Sequence, residues 1–339
     1  MYGSGGMVHL RIVAPAHTAE KALELLERTP SVCNLVHLPR AAIRPEGDVI
    51  LCDVAREDTS VLIGDLRELE IDRDGSIALE EIDSQISEAA DRAERTASGA
   101  VADAVVWEEV EQRTSENTEL SASFVAFMVL AMLIAAVGII TDQIVLIIGA
   151  MVVGPEFGPI AGFCVAAVER RRDVAVRSLL ALAVGFPAGI TASFLFTLGL
   201  DALNLMPEDF ADGEHPFTQF ISSPDEFSFV VAFLAGMVGV LSLTNAKSGA
   251  LVGVLISVTT IPAAANVGVA AAVGDGEEWL GALEQLSLNL TAILLAGILT
   301  LYMQRLLYVR RRRRHLYDEA REAAGLPRGR SRRASATRR

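Results

Sequence analysis

The hexapeptide Gly154-Pro155-Glu156-Phe157-Gly158-Pro159 interrupts an otherwise apolar segment that runs from Ile144 to Val168. Glycine and proline disrupt helices, and a carboxylate is costly in hydrocarbon. At membrane depth, such backbone is tolerated only where it is buried in protein or lines a cavity. No lysine or arginine lies between Arg113 and Arg170. The stretch therefore predicts a membrane protein with a broken helix and a candidate site.

The apolar residues of this 339-residue chain are segregated along its length. They make up 51% of the chain, with charged sequence before residue 119, long apolar runs over 119–308 and an arginine-rich end. A single soluble core does not have this distribution. We predict a cytoplasmic α+β domain over 1–83, a helical connector over 84–119, a transmembrane domain over 120–308 and a basic cytoplasmic tail over 309–339.

The charge balance excludes some partners and indicates a habitat. The net charge is −14, and Lys21 and Lys247 are the only lysines. An acidic, lysine-poor surface is typical of a salt-adapted cytoplasm, and it argues against nucleic acid as a partner. The three cysteines and five histidines lack metal-ligand spacing. We therefore expect no metal, no cofactor and no enzymatic activity.

The N-terminal part has the element order β-α-β-β-α-β. This order predicts a ferredoxin-like or ACT-like domain, which we expect to fold alone and to serve oligomerisation or regulation. The predicted strands are His9–Ala14, Val32–Ile43, Val49–Val54 and Gly75–Ile82, and the predicted helices are Thr18–Arg28 and Asp58–Leu69. The connector, Ser84–Glu119, reads as one long polar helix that leads into the membrane.

Six segments are each near the roughly 20 residues that a helix needs to cross hydrocarbon. They are Leu120–Ile140, Ile144–Val168, Ser178–Leu200, Phe227–Leu243, Ser248–Val273 and Leu280–Leu307. Loops 141–143, 201–226 and 274–278 contain no lysine or arginine, whereas the alternate loops and the C-terminal end do. By the positive-inside rule, both termini lie in the cytoplasm, the location is the cell membrane, and the tail anchors beside anionic headgroups.

The spans suggest an internal symmetry. Three spans precede the long outer loop and three follow it, so the second half would be inverted relative to the first. The middle span of each half contains proline: Pro159 in the second span, and Pro262 after Thr259-Thr260-Ile261 in the fifth. Two broken helices in a 3+3 inverted repeat are typical of transporters with a site near the midplane. The alternative is that small residues and single prolines recur by chance in close-packed helices.

Glu156 is the strongest site candidate. It lies 13 residues into its segment, or about 20 Å deep at a rise of about 1.5 Å per residue. An ionisable group at that depth indicates function. The alternative is a carboxylate that only caps the second half-helix. The predicted substrate-binding residues are Gly154, Pro155, Glu156, Gly158, Pro159, Thr259, Thr260, Pro262 and Asn266.

A family resemblance rests on the run from Ile148 to Ile160, IGAMVVGPEFGPI. It resembles the signature of the uncharacterised-hydrophobic-domain family (domain of unknown function 389), approximately I-G-A-M, two hydrophobic residues and A-P-L-x-G-P-I. Ile261-Pro262 looks like that family's second conserved stretch. The resemblance covers about 120–305 and implies a multi-pass inner-membrane protein of unestablished activity. Glu156 replaces a usually apolar residue, which indicates a subgroup.

Two classes of function fit these observations. The first is a transporter or channel for a small solute or ion, regulated by or assembled through the cytoplasmic domain, and homo-oligomeric. The second is a non-transporting membrane scaffold or sensor that acts through that domain. An intramembrane enzyme would need a paired acid and base or a metal set at membrane depth, and the sequence offers neither.

The topology predicts which loops are reachable from outside. In a background with the three native cysteines replaced by serine, Asp212→Cys should react with an impermeant maleimide in intact spheroplasts, because 201–226 is an outer loop. Arg313→Cys should react only after permeabilisation. Labelling of Asp212→Cys only after permeabilisation would contradict the orientation.

Overall fold

A computed structural model describes residues 6–82, 85–97, 105–116, 118–207, 210, 225–244 and 252–330, without the side chains of 116 and 252–259. The chain divides into two compact units. The first, the sheet unit, comprises the described residues of Met1–Val110 and Gln304–Arg339, together with Thr244. The second, the apolar unit, comprises those of Glu111–Leu243 and Lys247–Met303.

The N-terminal part of the sheet unit has the predicted order of strands and helices, with one extra short helix. Its elements are β1 (Met7–Ala14), α1 (Ala16–Glu27), β2 (Val32–Ile43), β3 (Glu46–Ala55), α2 (Arg56–Glu68), α3 (Ile71–Asp74) and β4 (Ser76–Glu81). The four strands pair in the order β2-β3-β1-β4, and each neighbouring pair is antiparallel.

Alternation along β1 explains the core of the sheet unit. Leu10 and Ile12 are fully buried, whereas Arg11 between them is exposed, as expected for a strand with one covered face. Leu25 of α1 and Leu66 of α2 are also fully buried and belong to the same apolar cluster. The two helices therefore cover one face of the sheet.

The connector differs from the single helix that we predict over 84–119. It contains α4 (Glu88–Thr96) and α5 (Trp107–Glu116), and Ala97 at the end of α4 has an extended backbone. Ala90 and Ala93 of α4 pack in a small cluster with Met7 and Ala55. The prediction of one helix was wrong because the first part of the connector buries an alanine face against the sheet unit.

The apolar unit consists of helices. They are α6 (Ala122–Ile140), α7 (Ile144–Val153), α8 (Phe157–Glu169), α9 (Arg172–Ala202), α10 (Glu226–Thr244), α11 (Val252–Val273) and α12 (Gly276–His315), whose last turns belong to the sheet unit. Among the described residues, α6, α9, α10 and α12 are long and apolar enough to cross a membrane. The pair α7 and α8 is bent by 52° at its break and makes a fifth candidate.

The predicted break in the second span is confirmed, but the one predicted in the fifth span was wrong. Helix α11 continues through Pro262, as α9 continues through Pro187. Proline removes one helical hydrogen bond, and neighbouring helices can compensate for that loss in an apolar environment. Helix α11 packs against α6, α7 and α9, so its proline lies inside a supporting bundle.

Glycines allow the helices of the apolar unit to approach closely. A Cβ added to Gly268 of α11 would lie 2.5 Å from the carbonyl oxygen of Ile190 in α9. A Cβ added to Gly236 of α10 would lie 2.7 Å from the carbonyl oxygen of Ile293 in α12. Small residues at such crossings are characteristic of helix association in membranes, where dispersion contacts replace the hydrophobic effect.

The chain after α12 completes the sheet unit, so this unit extends beyond the predicted boundary at residue 83. Helix α13 (Glu319–Ala323) and the residues that follow it contribute Ala320, Ala324 and Leu326 to the apolar core that contains Leu25. The C-terminal segment is therefore part of the domain core. Residues 331–339 of the predicted tail lie outside the described residues.

Buried charges hold this segment in place. We call Asp65, Glu68, Arg312, His315 and Arg321 the C-terminal ion network. Arg321 is fully buried, contacts Asp65, and donates a 2.9 Å hydrogen bond to Glu68. Arg312 lies 2.5 Å from Asp65 and 3.0 Å from Glu68, and the His315 ring lies 2.6 Å from Asp65. These basic residues bind carboxylates of the same unit, which differs from the lipid-headgroup role predicted for the tail.

Loss of Arg321 should loosen the C-terminal segment. Burial lowers the pKa of Arg321 to about 10, so the side chain remains charged at neutral pH. Arg321→Ala should destabilise the sheet unit by about 3 kcal/mol, near the lower end for a broken buried pair because Arg312 remains. Hydrogen exchange in α2, followed by mass spectrometry of the full chain, should become about a hundred-fold faster.

Arg328→Ala is the matched control, because Arg328 forms an exposed 3.5 Å pair with Glu322. Exposed pairs contribute about 0–1 kcal/mol, so exchange in α2 should change little. Equal exchange rates in the two variants would contradict a structural role for the C-terminal ion network.

Candidate functional site

The break between α7 and α8 places a carboxylate inside the apolar unit. Helix α7 ends at Val153, Gly154 has an extended backbone, and Glu156 is the residue before α8 begins. The carbonyl oxygen of Glu156 accepts a 3.1 Å hydrogen bond from the amide of Ile160. Pro159 is the third residue of α8, where a missing N–H costs nothing because the first four amides of a helix lack helical partners. The sequence therefore ends one helix and starts another here.

The Glu156 side chain is paired with α11. Glu156 and Thr260 are both fully buried, and the Thr260 hydroxyl donates a 3.0 Å hydrogen bond to Glu156 Oε1. These residues are separated by 104 positions in sequence. The structure thus brings together the middle segments of the two predicted halves, at the residues that the sequence singles out.

Gly154 allows this close approach. A Cβ at this position would lie 2.5 Å from Glu156 Oε2 and 2.9 Å from Ile261 Cγ1 of α11. A side chain there would push the carboxylate or α11 away. Ile261 is a contact that sequence reasoning missed, because an apolar residue in an apolar helix gives no distinguishing signal.

The other predicted site residues divide into three groups. Pro155, Gly158 and Pro159 shape the break. Pro262 lies in α11 two positions after Thr260. Thr259 lies outside the described side chains.

Asn266 does not join Glu156. It lies six residues beyond Thr260, about 9 Å along the helix axis. Its side-chain amide donates a 3.0 Å hydrogen bond to Glu278 at the start of α12. Farther along α12, the Gln285 amide donates a 3.2 Å hydrogen bond to Asn289. The structure therefore pairs Glu156 with Thr260, whereas the predicted residue Asn266 pairs with Glu278, which was not predicted.

The chemistry available at the Glu156–Thr260 pair is that of a desolvated carboxylate. Such a group can hold a proton, bind a cation or accept hydrogen bonds from a polar solute. In the described parts of the chain, no three histidine, cysteine or acidic side chains lie close enough to hold a metal ion. In the sheet unit, burial raises the pKa of Cys33 to about 11 and that of Cys52 to about 12, so both thiols are protonated at neutral pH.

Comparison with known proteins identifies the segment that contains this site. Residues 151–295 match the family described as Domain of unknown function (DUF389). The predicted resemblance is confirmed over these residues. The DUF389 segment includes the break, all of α11 and much of α12. Its description assigns no activity.

One relative extends this likeness. An uncharacterised protein of Methanocaldococcus jannaschii is 25% identical over 194 residues, which cover 57% of this chain and 58% of the relative. The chain thus matches a little over half the length of that relative. No solved structure matches significantly. This likeness supplies no substrate.

The glycine at the break should be far less replaceable than a neighbouring helical glycine. Gly154→Ala should lower the free energy of unfolding by about 1–3 kcal/mol, because the added methyl overpacks the contact with Glu156 and Ile261. Gly149→Ala on α7 meets no atom within 4 Å and should be neutral or stabilising by up to about 1 kcal/mol. Thermal unfolding in detergent micelles measures both. A Gly154→Ala protein as stable as Gly149→Ala would contradict the close approach.

Proposed function

We propose that the protein is a transporter or channel for a small solute or ion, with Glu156 as the group that binds or exchanges the charge. The observation that carries this proposal is the fully buried Glu156–Thr260 pair at the break of an apolar helix. Ionisable residues at membrane depth usually serve substrate or proton pathways, since their burial is expensive. A purely structural break could use an apolar residue at this position.

The N-terminus of α8 supports the same proposal. Glu156 precedes the N-terminus of α8, whose free amides and dipole favour negative charge. Broken helices of this type place a half-helix terminus at the substrate site of many transporters. Thr260 contributes a hydroxyl that can both donate and accept, so it can bond either the charged or the protonated carboxyl group.

We propose six spans with both termini in the cytoplasm. The N-terminal sheet and the segment after α12 belong to one compact unit, so both would lie on the same side of a bilayer. The helices between them must then cross an even number of times. The four long helices and the bent pair make five crossings, and α11 supplies the sixth.

We also propose that the spans form two inverted halves of three. The middle segments of the two halves meet at the Glu156–Thr260 pair, as such a repeat requires. The halves differ in detail, since α11 is continuous where the second span is broken. In this scheme the first half supplies the carboxylate and the second supplies the hydroxyl.

For the sheet unit we propose a ferredoxin-like arrangement that assembles copies of the chain. Its strand order β2-β3-β1-β4 and antiparallel pairing agree with a β-α-β-β-α-β fold of that kind. Strand β2 lies at the edge of the sheet and exposes Val36, Leu38 and Ile43, the last at 86%. An exposed edge with apolar side chains is a template for pairing with a second copy.

Glu156→Gln tests the transport proposal. Glutamine keeps the shape of the side chain and can still accept the Thr260 hydrogen bond, but it cannot ionise. Protein reconstituted in liposomes should pass at least one of H⁺, Na⁺, K⁺ or Cl⁻, measured with internal dyes and on solid-supported membranes. Glu156→Gln should abolish this flux or its dependence on pH while insertion and folding persist.

Glu277→Gln is the matched control, because Glu277 is an exposed carboxylate in the first turn of α12, before the predicted span Leu280–Leu307, and its removal changes the charge equally. Its flux should equal that of the wild type. Unaltered flux of the Glu156→Gln protein across a range of pH would reject Glu156 as the site. Absence of flux in the wild type would favour the scaffold or sensor.

A further inference from the structure

A cavity of about 810 Å³ lies within the sheet unit. Its wall is formed by the end of α1 and the loop after it, the start of α2, the region around Trp107 and the last turns of α12. Cavities that bind small organic molecules have volumes of about 300–1,000 Å³. The size therefore suits a ligand much larger than an inorganic ion.

Several lining side chains are buried without a hydrogen-bond partner among the described residues. They are the Ser31 hydroxyl, both carboxylate oxygens of Glu57, the indole N–H of Trp107 and the amide oxygen of Gln304. Glu57 is 4% exposed and Trp107 is 3% exposed. Buried polar groups are nearly always paired, so four such residues around one cavity call for a partner. The set contains both acceptors and a donor.

Among these groups, Glu57 has the largest free-energy cost of burial, because it is the only carboxylate. It is the second residue of α2, and burial raises its pKa, an effect that its own backbone amide and Arg311 only partly oppose. Arg311 donates a 2.5 Å hydrogen bond to the carbonyl oxygen of Glu57, and the carboxylate oxygens have no hydrogen-bond partner among the described residues. A buried carboxylate that is stabilised this little by its surroundings destabilises the fold, which is the pattern of a group retained for binding.

A positive patch borders the same cavity. Arg310 and Arg314 lie one turn apart on the exposed side of α12 and form no ion pair within the described part of the chain. Arg28 also lines the cavity and shares an exposed 3.2 Å pair with Glu24. Asp58, Asp318 and Glu319 line the wall as well, so the cavity presents both signs of charge. Paired arginines one turn apart suit a phosphate group.

We propose that this cavity binds a soluble purine nucleotide. The phosphates would bind Arg310 and Arg314, and the base would offer its edge to Glu57, Gln304 and the Trp107 N–H. A nucleobase edge carries donors and acceptors side by side, which matches the mixed set of unpartnered groups. An inorganic anion would satisfy only the arginines and would be repelled by Glu57. An amino acid would fill a small part of about 810 Å³.

The chain provides its own optical probe of this binding. Its only tryptophans are Trp107, in the cavity wall, and Trp279. In full-length protein carrying Trp279→Phe, in nanodiscs of neutral lipid, emission therefore comes from Trp107 alone. Titration with GTP and with ATP should change this emission saturably for at least one of them. Inorganic phosphate at the same concentrations should not reproduce the change.

Three variants distinguish a specific nucleotide site from nonspecific electrostatic attraction. Arg310→Gln with Arg314→Gln should weaken binding at least ten-fold, the size expected for lost charge-assisted hydrogen bonds. Glu57→Gln should weaken it about ten-fold while leaving the emission of the ligand-free protein unchanged, because the base loses an acceptor. Arg313→Gln is the matched control, because Arg313 is exposed on the same helix and does not line the cavity. This substitution should leave the affinity for the nucleotide unchanged.

Four outcomes would overturn the proposal. The first is no saturable change with either nucleotide. The second is equal weakening by Arg313→Gln, which would mean unspecific attraction to a basic helix end. The third is undiminished binding in the Glu57→Gln protein. The fourth is a change only in nanodiscs containing anionic lipid, which would assign the arginines to lipid headgroups.

Discussion

The apolar unit depends on one constraint, which is that peptide groups and carboxylates removed from water must find partners within the protein. The break at Gly154 meets this constraint with few residues. Pro159 stands where a helix lacks an amide partner in any case, and Thr260 supplies a hydroxyl to Glu156. Gly154 leaves room for the carboxylate and for Ile261. Replacement of Gly154 or Glu156 should therefore disturb α11 as well as the break, because Thr260 and Ile261 of α11 contact these two residues.

In the sheet unit, buried charges are compensated by ion pairs. The carboxylates of Asp65 and Glu68 pair with arginines and a histidine that lie at least 244 positions later in the sequence. Buried ion pairs contribute little net stability compared with apolar packing, but they are strongly selective about their partners. The C-terminal ion network therefore specifies which segment docks on α2. Ala320, Ala324 and Leu326 provide the apolar contacts that make docking favourable.

Periodicity predicted the strands of the sheet unit, long apolar runs predicted the apolar helices, and glycine and proline at 154–159 predicted the break. Each of these signals is encoded by neighbouring residues. The charge of Glu156 in an apolar run marked the candidate site, and Thr260 was singled out by the matched position of Pro262. The continuity of α11 could not be predicted, because it depends on packing against helices that are distant in sequence. The separation of Asn266 from Thr260 follows once α11 is continuous, since six helical residues span about 9 Å. The pairing of Asp65 with Arg321 likewise has no local signal. From sequence alone, the arginines of the tail are typical of a lipid anchor. The structure instead pairs Arg312 and Arg321 with the carboxylates of Asp65 and Glu68.

The division of the sheet unit between the two ends of the chain bears on the order of synthesis. A ribosome makes the sheet before the apolar helices of the described chain and the residues around Arg321 after them. During that interval, Asp65 and Glu68 lack Arg321, and the core lacks Leu326. A nascent or prematurely terminated chain thus exposes an incomplete surface, the kind of feature that chaperones and proteases act on. Closure of this domain therefore requires that translation has passed the apolar helices that lie between its two parts.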